Sequence, residues 1–215
     1  MYFQIVAARI HDMRGKIPND DRRHGKIYLE NTKMAATFQL KQTEESGIYA
    51  QETAQMRTIA LNYVKNHMIF LPMSVQKQNH WFLSVVDAKL RCIQVLNSHK
   101  PLAANILQVV RNMVAGLKCY FDHIDADVKK EYSWWIDFKL NIWDIDMVEE
   151  LPQQDDRTSS GLFVLKYMEH WNGKRLEKGF TQNLIDQFRK KLAAILVNSP
   201  LNEENAITRS PLRFS

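Results

Sequence analysis

Four polar positions fall in an order that could support acyl-transfer chemistry: His80 followed by Trp81, Asn97 followed by Ser98, then Gln154, then Ser160 followed by Gly161. An imidazole moves protons readily at neutral pH, and a hydroxyl becomes a nucleophile when such a base takes its proton. One amide can accept the imidazole N–H and fix the ring, while a second can donate to the oxyanion that forms on attack. Taken alone, a strand-end histidine is usually a hydrogen-bonded core residue. The ordered partners carry the chemical reading.

The elements that must position these residues follow from local periodicity. Met68–Val75, His80–Val86 and Arg91–Leu96 are short apolar or alternating runs separated by polar turns, which predicts a three-stranded antiparallel meander. His80 opens one strand and Asn97 ends the next, so pairing brings the two together. Ser160–Trp171 is apolar nearly all round (Leu162, Phe163, Val164, Leu165, Met168, Trp171), as a buried central helix is, with Asn172-Gly173 as its stop. Ser160 then stands at a helix N-terminus, where unpaired N–H groups and the dipole favour negative charge. Further helices are predicted over about 52–67 (Met56, Ile59, Ala60, Tyr63, Val64), from Pro101 through Leu117 and over 182–197, with a strand over 141–148.

The 215 residues are 45% hydrophobic and 25% charged, the balance of one globular domain. Lys plus Arg number 29 against 24 Asp plus Glu, a net +5 with the basic residues scattered, which argues against a dedicated nucleic-acid surface. Met1–Ile10 is too short an apolar run, broken by Arg9, for a signal peptide or membrane span, so a soluble intracellular protein is expected. Cys92 and Cys119 sit in no motif and are expected as buried free thiols; no metal or cofactor is expected. Residues 1–28 are expected as a flexible arm, 29–198 as the functional domain and 199–215 as a flexible tail. Three further features read as ordinary structure. His170-Trp171 repeats the dipeptide at a helix end, Glu149-Glu150 and Asp155-Asp156 are adjacent loop carboxylates expected to be solvated, and Trp134, Trp135 and Trp143 are expected to pack the core.

The order His-Trp, then Asn-Ser, then Gln with five residues before Ser-Gly resembles the ubiquitin-like-specific protease family (SUMO/sentrin-specific cysteine peptidases), whose pattern is His-Trp, Asp-Ser and Gln-x5-Cys-Gly. The flanks Ile69-Phe70-Leu71-Pro72, Ile93-Gln94-Val95-Leu96 and Gly161-Leu162-Phe163-Val164-Leu165-Lys166-Tyr167 are similar to family text, and the likeness covers about residues 52–197. Thr158-Ser159-Ser160-Gly161 resembles a plant branch with Thr-Ser-Cys-Gly, often associated with transposable elements. The resemblance implies an α+β, papain-like fold: a central buried helix against a mainly antiparallel sheet. It implies His80 as general base, Asn97 in place of the orienting aspartate, Gln154 as oxyanion donor, Ser160 in place of the nucleophilic cysteine, and Trp81 as a wall of the channel for the modifier's Gly-Gly tail. The family's Trp-Leu-x-Asp stretch, which helps close that channel, has no match between Met1 and Thr53.

By that resemblance the partner is SUMO or a related ubiquitin-like protein and its conjugates, cut at a C-terminal or isopeptide bond by a cysteine-type peptidase in the nucleus or cytoplasm. The two departures bear on turnover. Serine lacks the thiolate route open to cysteine, and an amide cannot offer negative charge to an imidazolium; in a serine-protease triad, Asp to Asn costs roughly 10^4 in turnover. Two readings stand side by side: a peptidase domain impaired by Ser160 and Asn97, and a pseudoprotease that binds a ubiquitin-like protein without cutting it, or a transposon-associated relic. A serine hydrolase using Ser160 and His80 is the third.

Overall fold

The computed structural model describes residues 2–16, 21–22, 25–39, 50–135 and 139–202. Along the chain these form α1 (Tyr2–Lys16), β1 (Asp21–Arg22), β2 (Gly25–Leu29), α2 (Thr32–Gln39), α3 (Ala50–Val64), β3 (Met68–Val75), β4 (His80–Asp87) and β5 (Cys92–Leu96). There follow α4 (Ala103–Asp122), α5 (Ala126–Glu131), β6 (Asp144–Met147), α6 (Ser160–His170) and α7 (Gln182–Val197). The strands make one sheet in the order β1-β2-β3-β4-β5-β6. The predicted meander is its centre: β3–β4 and β4–β5 are antiparallel, while β2 joins β3 and β6 joins β5 in parallel. The architecture is α+β.

Both faces of the central strands are covered, which is why β3 and β4 read as nearly continuous apolar runs. Alternate side chains feed two cores. Ile69, Leu71, Met73, Phe82, Val86, Ile93 and Val95 face α2, α3, α4 and the Trp135–Trp143 stack. Met68, Phe70, Trp81, Leu83, Val85 and Leu96 face α1, α6 and α7. Only the second face carries Ser160. On the first, α4 lies so close to α2 that a Cβ on Gly116 would stand 2.4 Å from the Phe38 carbonyl oxygen.

The N-terminal segment corrects the sequence reading. Residues 2–16 are a helix whose Val6, Ile10 and Met13 are buried, not a flexible arm, and β2 adds a strand to the sheet. Its polar residues hid it: Arg9 pairs with Asp12 and with Glu169 of α6 (2.7 Å), Arg14 with Glu30 (3.1 Å), and Ser199 donates to Asp12 (2.6 Å). Positions 199–202 of the expected tail fold back in this way onto α1; 203–215 lie outside the described residues. Cys92 and Cys119 are free but half-buried, not buried. Trp135 and Trp143 are buried as expected, with Trp134 partly so.

Candidate active site

Antiparallel pairing of β4 with β5 sets the start of one beside the end of the other. His80 Nε2 lies 2.7 Å from Asn97 Oδ1. The turn after β5 fixes the amide's orientation: Oδ1 also accepts the His99 N–H (3.0 Å), and Nδ2 donates to the His99 carbonyl (2.7 Å). With Oδ1 facing the ring, Nε2 must carry the proton, leaving Nδ1 as the basic nitrogen. Burial holds the His80 pKa below the ordinary histidine value; the Asn97 bond pulls it up, and nearby His99, its ring 5.9 Å away, pushes it down. The ring is therefore neutral at neutral pH, the state a general base needs.

Helix α6 packs over β4 and places Ser160 against the same strand end, its Oγ accepting the Trp81 backbone N–H at 3.1 Å. Among the described residues no hydrogen bond joins Oγ to the His80 ring. The site is enclosed: Ser160 is 2% exposed, His80 3% and Trp81 8%. Helix α1 forms part of the roof, with the Phe3 ring 5.6 Å from that of Trp81 and Val6 at 3.0 Å from where a Gly161 Cβ would stand. Gly161 lets the two helices and the tryptophan meet.

Leu162 and Phe163 both donate to the Ser159 carbonyl (2.8 and 3.1 Å), so the helix-opening amides of Ser160 and Gly161 are those without an intrahelical acceptor. Gln154 stands on the far side of the 97–98 turn. Its N–H donates to the Ser98 carbonyl (3.0 Å), its Oε1 accepts the Ser98 hydroxyl (2.8 Å), and its Nε2 donates to the Asp156 carbonyl (2.7 Å). One of its two amide hydrogens is thus engaged within the loop and one is left for a ligand.

Asp156, expected as a solvated loop carboxylate, is instead the hub of that loop. It accepts from the Thr158 and Ser159 N–H groups (3.1 and 2.9 Å), from both hydroxyls (3.0 and 2.6 Å) and from Arg189 of α7 (3.2 Å). Burial would raise its pKa, but these bonds outweigh it and bring the carboxyl down to about 2. Sequence reasoning missed this hub, His99 and Gln153, which donates to the Asn97 carbonyl (3.2 Å). Only for Arg189 was a signal present, since Gln182, Asp186 and Arg189 recur on one face of α7 beside buried Ile185, Phe188 and Leu192. Among the described residues no group of three or more His, Cys, Asp or Glu is placed to hold a metal, and no helix is long and apolar enough to cross a membrane.

A buried helix with Ser160 at its N-terminus, set against a sheet that presents His80 and Asn97 from adjacent strand ends, is an α+β arrangement of the papain-like kind. The profile of the Ulp1 protease family, C-terminal catalytic domain, matches residues 26–198, and the chain belongs to that family. It is similar to ubiquitin-like-specific protease ESD4 of Arabidopsis thaliana, 27% identical over 179 residues, covering 80% of this chain and 33% of that protein. It is also similar to sentrin-specific protease 2 of Homo sapiens, 24% identical over 146 residues, covering 67% and 22%. The chain thus spans about a third or less of the length of these relatives. Among solved structures it resembles the C-terminal Ulp1 protease domain in complex with Smt3, the yeast orthologue of SUMO, at a TM-score of 0.57 and 16% identity, covering 94% of this chain and 76% of that one. A Xanthomonas XopD mutant superposes at 0.53 and 16% identity over 89% and 97%. At such identities these likenesses speak for the fold.

Proposed function

We propose that the chain is a modifier-peptidase domain whose site accepts the C-terminal tail of SUMO or a related ubiquitin-like protein, with Ser160 in the nucleophile position leaving cleavage severely impaired. In this reading Trp81 walls the tail channel, His80 Nδ1 is the base, Asn97 orients it, and Gln154 with the first α6 amides receives the oxyanion. Support comes from family membership and above all from the Ser160 hydroxyl, which sits at the helix start beside a neutral, amide-oriented imidazole yet is hydrogen-bonded to the Trp81 N–H and not to that base. A hydroxyl needs its proton removed during attack, whereas a thiol in the same place could reach the thiolate beforehand. The second reading, binding without cutting, draws on the same pair of residues, Ser160 and Asn97.

The test compares the unmodified chain with Ser160→Cys on a fluorogenic SUMO C-terminal substrate, alongside SUMO binding with and without Trp81→Ala. Turnover in Ser160→Cys alone supports an intact but disarmed peptidase. Binding that Trp81→Ala abolishes, with no turnover in either chain, supports the pseudoprotease. Neither turnover nor binding removes both readings.

A further inference from the structure

Away from the candidate site, a groove of about 630 Å³ opens at the start of β2, a size within the range of ligand-binding clefts. It is lined by Lys26–Leu29 of β2, Arg14 of α1, Lys65 just after α3, and Tyr132 and Trp134 after α5. Strand β2 pairs with β3 from Met68 onward, whereas His80 faces Val75 at the other end of β3, so about 23 Å of strand separates the groove from the imidazole. Three cations reach the groove and, among the described residues, no acid lines it. Arg14 is compensated by Glu30 (3.1 Å). Lys26 and Lys65 are exposed, and among the described residues neither pairs with an acid, so both charges are open to a ligand. The frame that holds them is fixed: the Lys26 N–H donates to His67 Nδ1 (2.9 Å), its carbonyl accepts the His67 N–H (2.9 Å), and Trp134 Nε1 donates to the Val64 and Asn66 carbonyls (3.1 and 3.2 Å). The rings are already engaged within the protein. Arg14 lies over Tyr28 (5.0 Å), Tyr63 is edge-on to it (5.1 Å), and Tyr132 and His67 pack on Trp134 (5.3 and 4.9 Å). They make stiff walls and not open platforms for stacked bases, on which recognition of single-stranded nucleic acid depends. Carboxylates need only the two ammonium charges.

We propose that this groove is a docking site for an acidic peptide segment of a partner protein, held by Lys26 and Lys65 against the walls of Tyr28, Tyr132 and Trp134. Because the groove lies at the opposite end of β3 from His80, the segment docks without covering the candidate active site. The inference does not depend on whether Ser160 cuts.

The probe is a dye-labelled octaglutamate peptide, titrated with the full chain at about 50 mM salt, where exposed charges are weakly screened, and followed by fluorescence anisotropy. Micromolar binding is expected, weakened about ten-fold in Lys26→Glu/Lys65→Glu, since two attractions become repulsions. Lys190→Glu/Lys191→Glu, an equal change of charge at exposed positions of α7, should weaken it by about two-fold or less. In the nitrogen-labelled chain the peptide should shift the amide resonances of Ile27, Lys65 and Trp134 and leave that of His80 in place. No binding, equal losses in the two variants, shifts centred away from the groove, or tighter binding of octathymidylate at the same residues would each overturn the proposal.

Discussion

Replacing Asn97 by aspartate, the residue in the motif its sequence resembles, should weaken this fold at pH 8 and change the sign of its pH dependence. The exchange is nearly isosteric and keeps acceptors for His80 Nε2 and the His99 N–H, but it turns the Nδ2 donor, 2.7 Å from the His99 carbonyl, into an oxygen. Losing that bond costs about 1 kcal/mol, and leaving the carbonyl facing a buried carboxylate about 1–3 kcal/mol more, for a deficit of about 2–4 kcal/mol. In the parent, burial holds the His80 pKa below its unfolded value. The unfolded chain therefore binds more protons as pH falls through the histidine range, and this residue's contribution to stability is lost on acidification. In Asn97→Asp the new carboxylate favours the imidazolium and raises the folded pKa, so acidification stabilises the variant. The gap between the two proteins should close by up to about 1.4 kcal/mol per pH unit as His80 charges. Urea unfolding of both chains at half-unit steps from pH 8 to pH 5 reads it directly. Parallel curves, or no deficit at pH 8, would refute the claim that the 97–99 turn is built around an amide.

Gly116→Ala should destabilise by about 1–3 kcal/mol in guanidinium unfolding, because overpacking against the Phe38 backbone outweighs the helix propensity gain of about 1 kcal/mol; a more stable variant would contradict the α2–α4 approach. Tyr63→Phe removes a donor to the buried Glu30 carboxylate. Burial pushes that phenol's pKa well up, so it donates at any working pH, and its loss should cost about 1.5–3 kcal/mol in urea titration, the value of a bond to a charged group. A loss near zero would mean that Arg14 and the Asn31 N–H satisfy Glu30 alone.

Much of the sheet was legible because two-sided burial leaves unbroken apolar runs: β3 and α7 match their predicted limits, and β4, β5, α3 and α6 lie within a few residues of theirs. The 3.6-residue pattern of α4 placed that helix, although its first turn is a 3-10 turn at Lys100–Leu102. Helix α1 escaped because it anchors itself through Arg9, Asp12 and Arg14, polar residues that in sequence look solvated. Within the site, the His80–Asn97 pair followed from strand ends and the place of Ser160 from the helix start, whereas the bond from the Trp81 N–H to the Ser160 hydroxyl was not foreseen. Nor was the Asp156 hub. Nothing in Gln-Asp-Asp-Arg-Thr-Ser reveals that an arginine 33 positions further on will meet the carboxylate; the polar face of α7 shows in the helical period, but the loop it meets does not.

The two halves of the site differ in how far apart they begin along the chain. His80 and Asn97 are 17 positions apart, whereas the bond from Trp81 to Ser160 spans 79. Bringing the ends of the longer segment together costs about 1.4 kcal/mol more in chain entropy, from the logarithmic dependence on loop length. His80 and Asn97 therefore close a hairpin-scale loop, while Ser160 meets Trp81 only through the packing of α6 over β4.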